Sequence, residues 1–129
     1  MDPIVSQSIG KLGEDIASKF LLDKGYVVLH RNYRKPYGEI DIIARKSNIV
    51  HFIEVKAVSR ITSQDSSDTF RPEDNVHKNK LLRLSRVIEV YIEEFSIQND
   101  WQFDVLTVVI NPKQKTARIQ LLPDIVIGS

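Results

Sequence analysis

Two apolar, β-prone segments each enclose a carboxylate: Gly38-Glu39-Ile40-Asp41-Ile42-Ile43-Ala44 and Phe52-Ile53-Glu54-Val55-Lys56. Burying an unpaired charge in such a run is costly, so acids there call for a purpose. The second segment also carries a lysine two residues beyond its carboxylate. Residues two apart in a strand share a face, so Glu54 and Lys56 point the same way. An Asp, a Glu and a Lys converging on one sheet are the parts of metal-assisted phosphodiester hydrolysis. Carboxylates hold a divalent cation, and the lysine serves a water or a developing charge.

Between the two segments lies Arg45-Lys46-Ser47-Asn48-Ile49, short and polar, which reads as a hairpin connection. If Ser47 and Asn48 form a two-residue turn, Asp41 falls opposite Glu54, and Glu39 opposite Lys56. Directly opposed residues share a face with side chains about 5 Å apart. Carboxylates that close repel unless a cation or a proton lies between them. A register shifted by one residue would send Asp41 and Glu54 to opposite faces, so the pairing depends on the turn.

These residues must be positioned by a small protein. A chain of 129 residues reads as one domain over 1–129. Hydrophobic residues at 42% and charged residues at 27% are ordinary for a soluble globular chain. There is no cysteine, which excludes disulfides and thiolate metal sites and fits a cytoplasmic location. Met1-Asp2-Pro3-Ile4-Val5 lacks the form of a signal peptide, and no apolar run has the length of a membrane span. A net charge of +1 decides nothing about nucleic acid, but the charges are segregated. His30-Arg31-Asn32-Tyr33-Arg34-Lys35 is one basic patch, and Lys78, Lys80, Arg83 and Arg86 form another. Either patch could grip phosphates, or be a solvated face.

Ser8–Lys24 has helical spacing of Ile9, Leu12, Gly13, Ile16, Ala17 and Phe20, with Gly25 as a stop and Glu14 on the flank of the stripe. Tyr26–His30 reads as a short strand and Arg31–Tyr37 as a basic connection. Gly38–Arg45 and Ile49–Ala57 are the hairpin strands. Ile40, Ile42 and Ala44 are expected on one face of the first, with Ile53 and Val55 on the matching face of the second. Residues 58–74 read as a long polar loop. Asn75–Phe95 is a second helix, with Leu81, Leu84, Ile88, Tyr91, Ile92 and Phe95 as its stripe and Arg83 and Arg86 on its other side. Trp101–Ile110 and Thr116–Leu122 are strands, and the apolar tail 123–129 is expected to pack on the sheet or a partner. The second helix is long enough to return a strand parallel to the hairpin. The fold class is therefore α/β, a mixed central sheet flanked by helices.

In that order, with those residues, the chain resembles the PD-(D/E)XK, or restriction-endonuclease-like, superfamily and its α-β-β-β-α-β core. The carrying residues are Asp41 and Glu54-Val55-Lys56. More narrowly it is similar to the YraN-like family, through Gly13-Glu14-Asp15-Ile16-Ala17, Arg31-Asn32-Tyr33-Arg34, the two hairpin segments and Phe103-Asp104-Val105. The match covers roughly residues 8–110; the 58–79 stretch and the C-terminal tail depart from the pattern.

The resemblance implies a Mg²⁺-dependent endonuclease acting on DNA, with Mn²⁺ as a substitute, and branched or structured substrates by similarity to small Holliday-junction resolvases. It implies that Asp41, Glu54 and the Val55 carbonyl ligate the cation, with water completing an oxygen shell. Lys56 would orient or deprotonate the attacking water or stabilise the phosphorane. Glu14 resembles a helix glutamate that joins such sites; the alternative is a surface carboxylate paired with Lys11 or Lys24. Arg31, Arg34, Lys80, Arg83 and Arg86 are the candidate DNA contacts, and Glu39 could pair with Lys56. His30, His51 and His77 lack metal-ligand spacing, and Asp104 is expected to cap or brace the sheet. A catalytically inactive nucleic-acid-binding or scaffold protein is the competing function. The sheet edge and apolar tail leave a homodimer open.

Overall fold

The structure, a computed structural model, describes residues 3–60 and 78–127. Helix α1 spans Pro3–Asp23, and strands β1, β2 and β3 span Val27–Lys35, Gly38–Lys46 and Ile49–Ser59. Helix α2 spans Lys78–Glu94, followed by β4, Asp100–Asn111, and β5, Thr116–Leu122. The strands form one five-stranded sheet in the order β1-β2-β3-β4-β5. β3 and β4 run parallel and the other neighbours antiparallel, so α2 lies on the crossover that a parallel pair requires. This is the mixed α/β arrangement expected of a restriction-endonuclease-like core.

The helices bury opposite faces of the sheet. Ala17 and Leu21 of α1 pack on Ile42, Ala44, Ile53, Leu106 and Val108. Leu84, Val87, Ile88 and Tyr91 of α2 pack on Ile43, Phe52, Phe103 and Val105. β3 and β4 are covered on both sides, which is why they read as nearly continuous apolar runs. The tail joins the α2 side: Ile125 and Ile127 pack there, and the Ile125 N–H donates to the Phe103 carbonyl at 2.7 Å. Asp104 braces the sheet as expected. Fully buried, it meets His51 Nδ1 at 2.7 Å and accepts from Gln102 Nε2 and the Asp124 N–H at 2.8 Å each. No helix among the described residues is long and apolar enough to cross a membrane.

Several boundaries differ from those the sequence predicts. α1 begins at Pro3, not Ser8. Residues 31–35 are strand, not connection: β1 continues through a bulge between Val28 and His30 and through Asn32 at φ 55. Such irregularity hides a strand from a period-two search. Ile40 packs on the α2 side, not with Ile42 and Ala44 on the α1 side. The alternation breaks where β2 parts from β3, beyond the last ladder pair, Ile42 with Ile53. The 58–74 loop and the start of the second helix at Asn75–His77 fall largely outside the described residues, although β3 extends to Ser59 and the Arg60 N–H donates to the Ile110 carbonyl at 2.8 Å.

Candidate active site

Ser47 and Asn48 both take positive φ, 50° and 67°, as a two-residue type I′ hairpin turn requires. The ladder it sets runs from Lys46 with Ile49 to Ile42 with Ile53. The next step in this register places Asp41 across from Glu54. There the two strands diverge, and the Asp41 carboxylate replaces the lost backbone partner: its Oδ2 accepts the Val55 N–H at 2.8 Å. Glu54 and Lys56 share a face, with Lys56 Nζ 3.6 Å from Glu54 Oε1.

Asp41 and Glu54 open into a single cavity of about 380 Å³, walled on the far side by Arg83 and Leu84 of α2 and by Tyr37 of the β1–β2 turn. Burial pushes the Asp41 carboxyl up to about 6, and the charges of Glu54, Glu14 and Glu39 push the same way. The Val55 N–H acts against them by stabilising the ionised form. Asp41 thus lies within electrostatic reach of three other carboxylates, of which Glu54 and Glu39 share its cavity.

Glu14 reaches this crowd because α1 lies unusually close to β3. A Cβ on Gly13 would stand 2.3 Å from Ala57 Cβ, so only glycine permits the approach. The Glu14 partners are neither Lys11 nor Lys24. Its Oε1 accepts from Asn32 Nδ2 at 2.9 Å and lies 3.4 Å from the Arg31 guanidinium, which also meets Asp15 at 2.8 Å. Sequence reasoning misses Asn32. Its signal is conformational, since asparagine is among the few non-glycine residues that tolerate the left-handed region. Asn32→Asp keeps that tolerance but sets a carboxylate against Glu14. It should cost about 1.5–3 kcal/mol at pH 8, the worth of a hydrogen bond to a charged group. Denaturant melts at pH 8 check this; equal stability would show that Glu14 is not held by Asn32.

The other expected site residues are dispersed. Arg34 pairs with Glu39 at 2.9 Å, while Lys56 Nζ lies against Glu54. Arg83 lines the cavity, and the Arg86 guanidinium lies 4.5 Å over the Tyr37 ring. Lys80 lies in the first turn of α2, with its side chain outside the described residues. Tyr33 donates to Glu94, which Lys35 also approaches at 3.5 Å, tying β1 to the end of α2.

The family model described as uncharacterised protein family UPF0102 matches residues 13–108, a span that includes Glu14, Asp41, Glu54 and Lys56. This chain belongs to the UPF0102 family, the YraN group. A UPF0102 protein of Dictyoglomus turgidum is 35% identical over 120 residues, covering 92% of this chain and 97% of the relative. One of Alkaliphilus metalliredigens is 40% identical over 112 residues, 86% and 93% of the two chains. One of Campylobacter jejuni is 39% identical over 99 residues, 77% and 81%.

In this UPF0102 chain the donors at the site are all oxygen, from Asp41, Glu54 and the adjoining backbone. That chemistry suits a hard cation. Among the described residues no group of three or more His, Cys, Asp or Glu could hold a metal ion. A pair of carboxylates is what Mg²⁺ ordinarily takes, keeping several waters, whereas a closed zinc site needs four protein ligands. Oxygen donors of this kind are those that hard divalent cations take.

Proposed function

We propose that this protein is a metal-dependent phosphodiesterase, an endonuclease acting on branched or otherwise structured DNA. The observation that carries the reading is the meeting of Asp41, Glu54 and Lys56 where β2 and β3 diverge, with Glu14 held nearby. A binding protein has no need of crowded acids facing a phosphate path. Asp41 and Glu54 would hold the cation, with the Val55 carbonyl as a backbone ligand. Bound there, a divalent cation polarises the scissile phosphate and lowers the pKa of its water. Lys56 Nζ stands 3.6 Å from Glu54 Oε1, placed to orient that water and to stabilise charge developing on the phosphate. Arg83, across the cavity, supplies a second cation for the substrate backbone. The scaffold alternative draws on the absence of a third metal-ligating side chain among the described residues and on the engagement of Arg31 and Arg34 by acids.

Purified protein incubated with single-stranded, duplex and four-way-junction DNA, with Mg²⁺, Mn²⁺ or EDTA, tests the reading. Cleavage that EDTA stops supports it; no cleavage of any form leaves the scaffold. Neutralising Arg83 and Arg86 together should weaken duplex binding and flatten its salt dependence by about 0.9 in slope per lost phosphate contact. An unchanged slope would place this face of α2 away from DNA.

A further inference from the structure

The cavity that holds Asp41 and Glu54 has a second wall of different chemistry. The β1–β2 turn brings Pro36 and Tyr37 to it, and α2 brings Arg83 and Leu84. The two elements touch because of Gly38: a Cβ there would come within 3.1 Å of Val87 Cγ2, and within 3.8 Å of the Arg83 carbonyl. Tyr37 is partly buried against the α2 core, which fixes its ring, and Arg86 lies over that ring at 4.5 Å. The far wall is thus an aromatic and apolar surface with the Arg83 guanidinium beside it, while Arg86 holds the Tyr37 ring from outside the cavity. The near wall is acidic.

We infer that the Tyr37 wall is a nucleotide subsite, which takes one unpaired base of the substrate while the adjoining phosphodiester meets Asp41 and Glu54. This rests on the phosphodiesterase reading and names what that site selects. Three features support it. A π face and a planar cation are the surfaces on which any base stacks, whatever its identity. A cleft of about 380 Å³ has room for one nucleotide. The Asp41 and Glu54 carboxylates are also recessed, the Glu54 side chain being only 13% exposed. A continuous duplex would bridge the mouth, whereas a strand with an unpaired nucleotide can turn into it. Specificity would then lie in pairing state, not in sequence.

The test is binding in EDTA, which separates the subsite from cleavage. Anisotropy with a fluorescent single strand and the matching blunt duplex should show wild type preferring the single strand. Tyr37→Leu keeps apolar packing but removes the π face; it should lose about tenfold on the single strand and little on the duplex, in line with one stacked base. Tyr37→Phe should bind as wild type. A wild type without strand preference, a Leu variant that weakens both forms equally, or a Phe variant as weak as Leu would overturn the inference. A second measurement needs no variant: a single strand carrying 5-iododeoxyuridine, photo-crosslinked to wild type, should give an adduct on Tyr37, and adducts only elsewhere would overturn it. If Tyr37-dependent binding holds but no DNA is cut, the nuclease reading fails and the subsite stands. If DNA is cut with no role for Tyr37, the reverse follows.

Discussion

Lys56→Ala should reduce Mg²⁺-dependent cleavage at least about 10²-fold, the usual scale for losing a proton-transfer or charge-stabilising group. It should do so while the fold stays intact and DNA affinity stays near wild type. Lys56 sits 3.6 Å from Glu54 Oε1 with its side chain 21% exposed. Both side chains are mostly shielded from solvent, so breaking the pair costs about 1–3 kcal/mol, between the scales for exposed and buried pairs. Its share of ground-state DNA binding is small because it is one cation among several, with Arg83 on the opposite wall. Its proposed work is on charge that exists only on the way to the transition state, so the loss should fall on kcat, not on KM. Single-turnover cleavage beside anisotropy binding separates the two. A variant that cuts normally would remove Lys56 from the mechanism. One that neither cuts nor binds would make it a DNA contact.

Asp41→Asn should stop cleavage through loss of a metal ligand and, in EDTA, make the protein more stable. The Asp41 carboxyl is pushed from its ordinary 3.8 up to about 6, first by burial and then by Glu54 and Glu14. Between those values the folded state holds a proton that the unfolded state has released, so stability falls as pH rises. The cost is absent below the unfolded pKa and complete above the folded one. A rise of that size corresponds to about 3 kcal/mol as an upper figure at pH 8. Asparagine carries no charge yet can still accept the Val55 N–H. Urea melts in EDTA should therefore show the variant ahead by about 2–3 kcal/mol at pH 8 and level with wild type near pH 4. Stabilisation by Mn²⁺ should vanish in the variant, and DNA should bind more tightly without a negative charge beside its phosphates. A variant less stable than wild type at pH 8 would mean that the carboxylates are not crowded.

What the sequence discloses follows from what is periodic. The hairpin register is legible because Ser47-Asn48 makes a short turn and the strand segments beside it alternate cleanly. The helices are legible from their stripes, and the parallel return of β4 from the length of the crossover. β1 past His30 is not, because a bulge and the left-handed Asn32 break its period. Parity puts Ile40 on the wrong face, since parity fails where β2 leaves β3. Two arrangements have no linear signature at all: the hold of Asn32 and Arg31 on Glu14, and the approach of Tyr37 and Arg83 to the acids. Both join residues far apart in the chain, and both depend on how tightly the helices seat on the sheet.

The turn at Ser47–Asn48 lies at the opposite end of the hairpin from the acids, yet its length governs them. Substitutions there that accept positive φ would keep the register, and with it the chemistry, at most losing the Asn48 side-chain hydrogen bond from Asn99. Deletion of one of its two residues would be different in kind. The strands could still pair and the core could in part refill, but Asp41 and Glu54 would no longer face the same cavity. The turn's composition can thus vary while its length cannot shrink. A single-codon deletion, remote from the site and harmless to any residue in it, would be as disabling as losing a carboxylate.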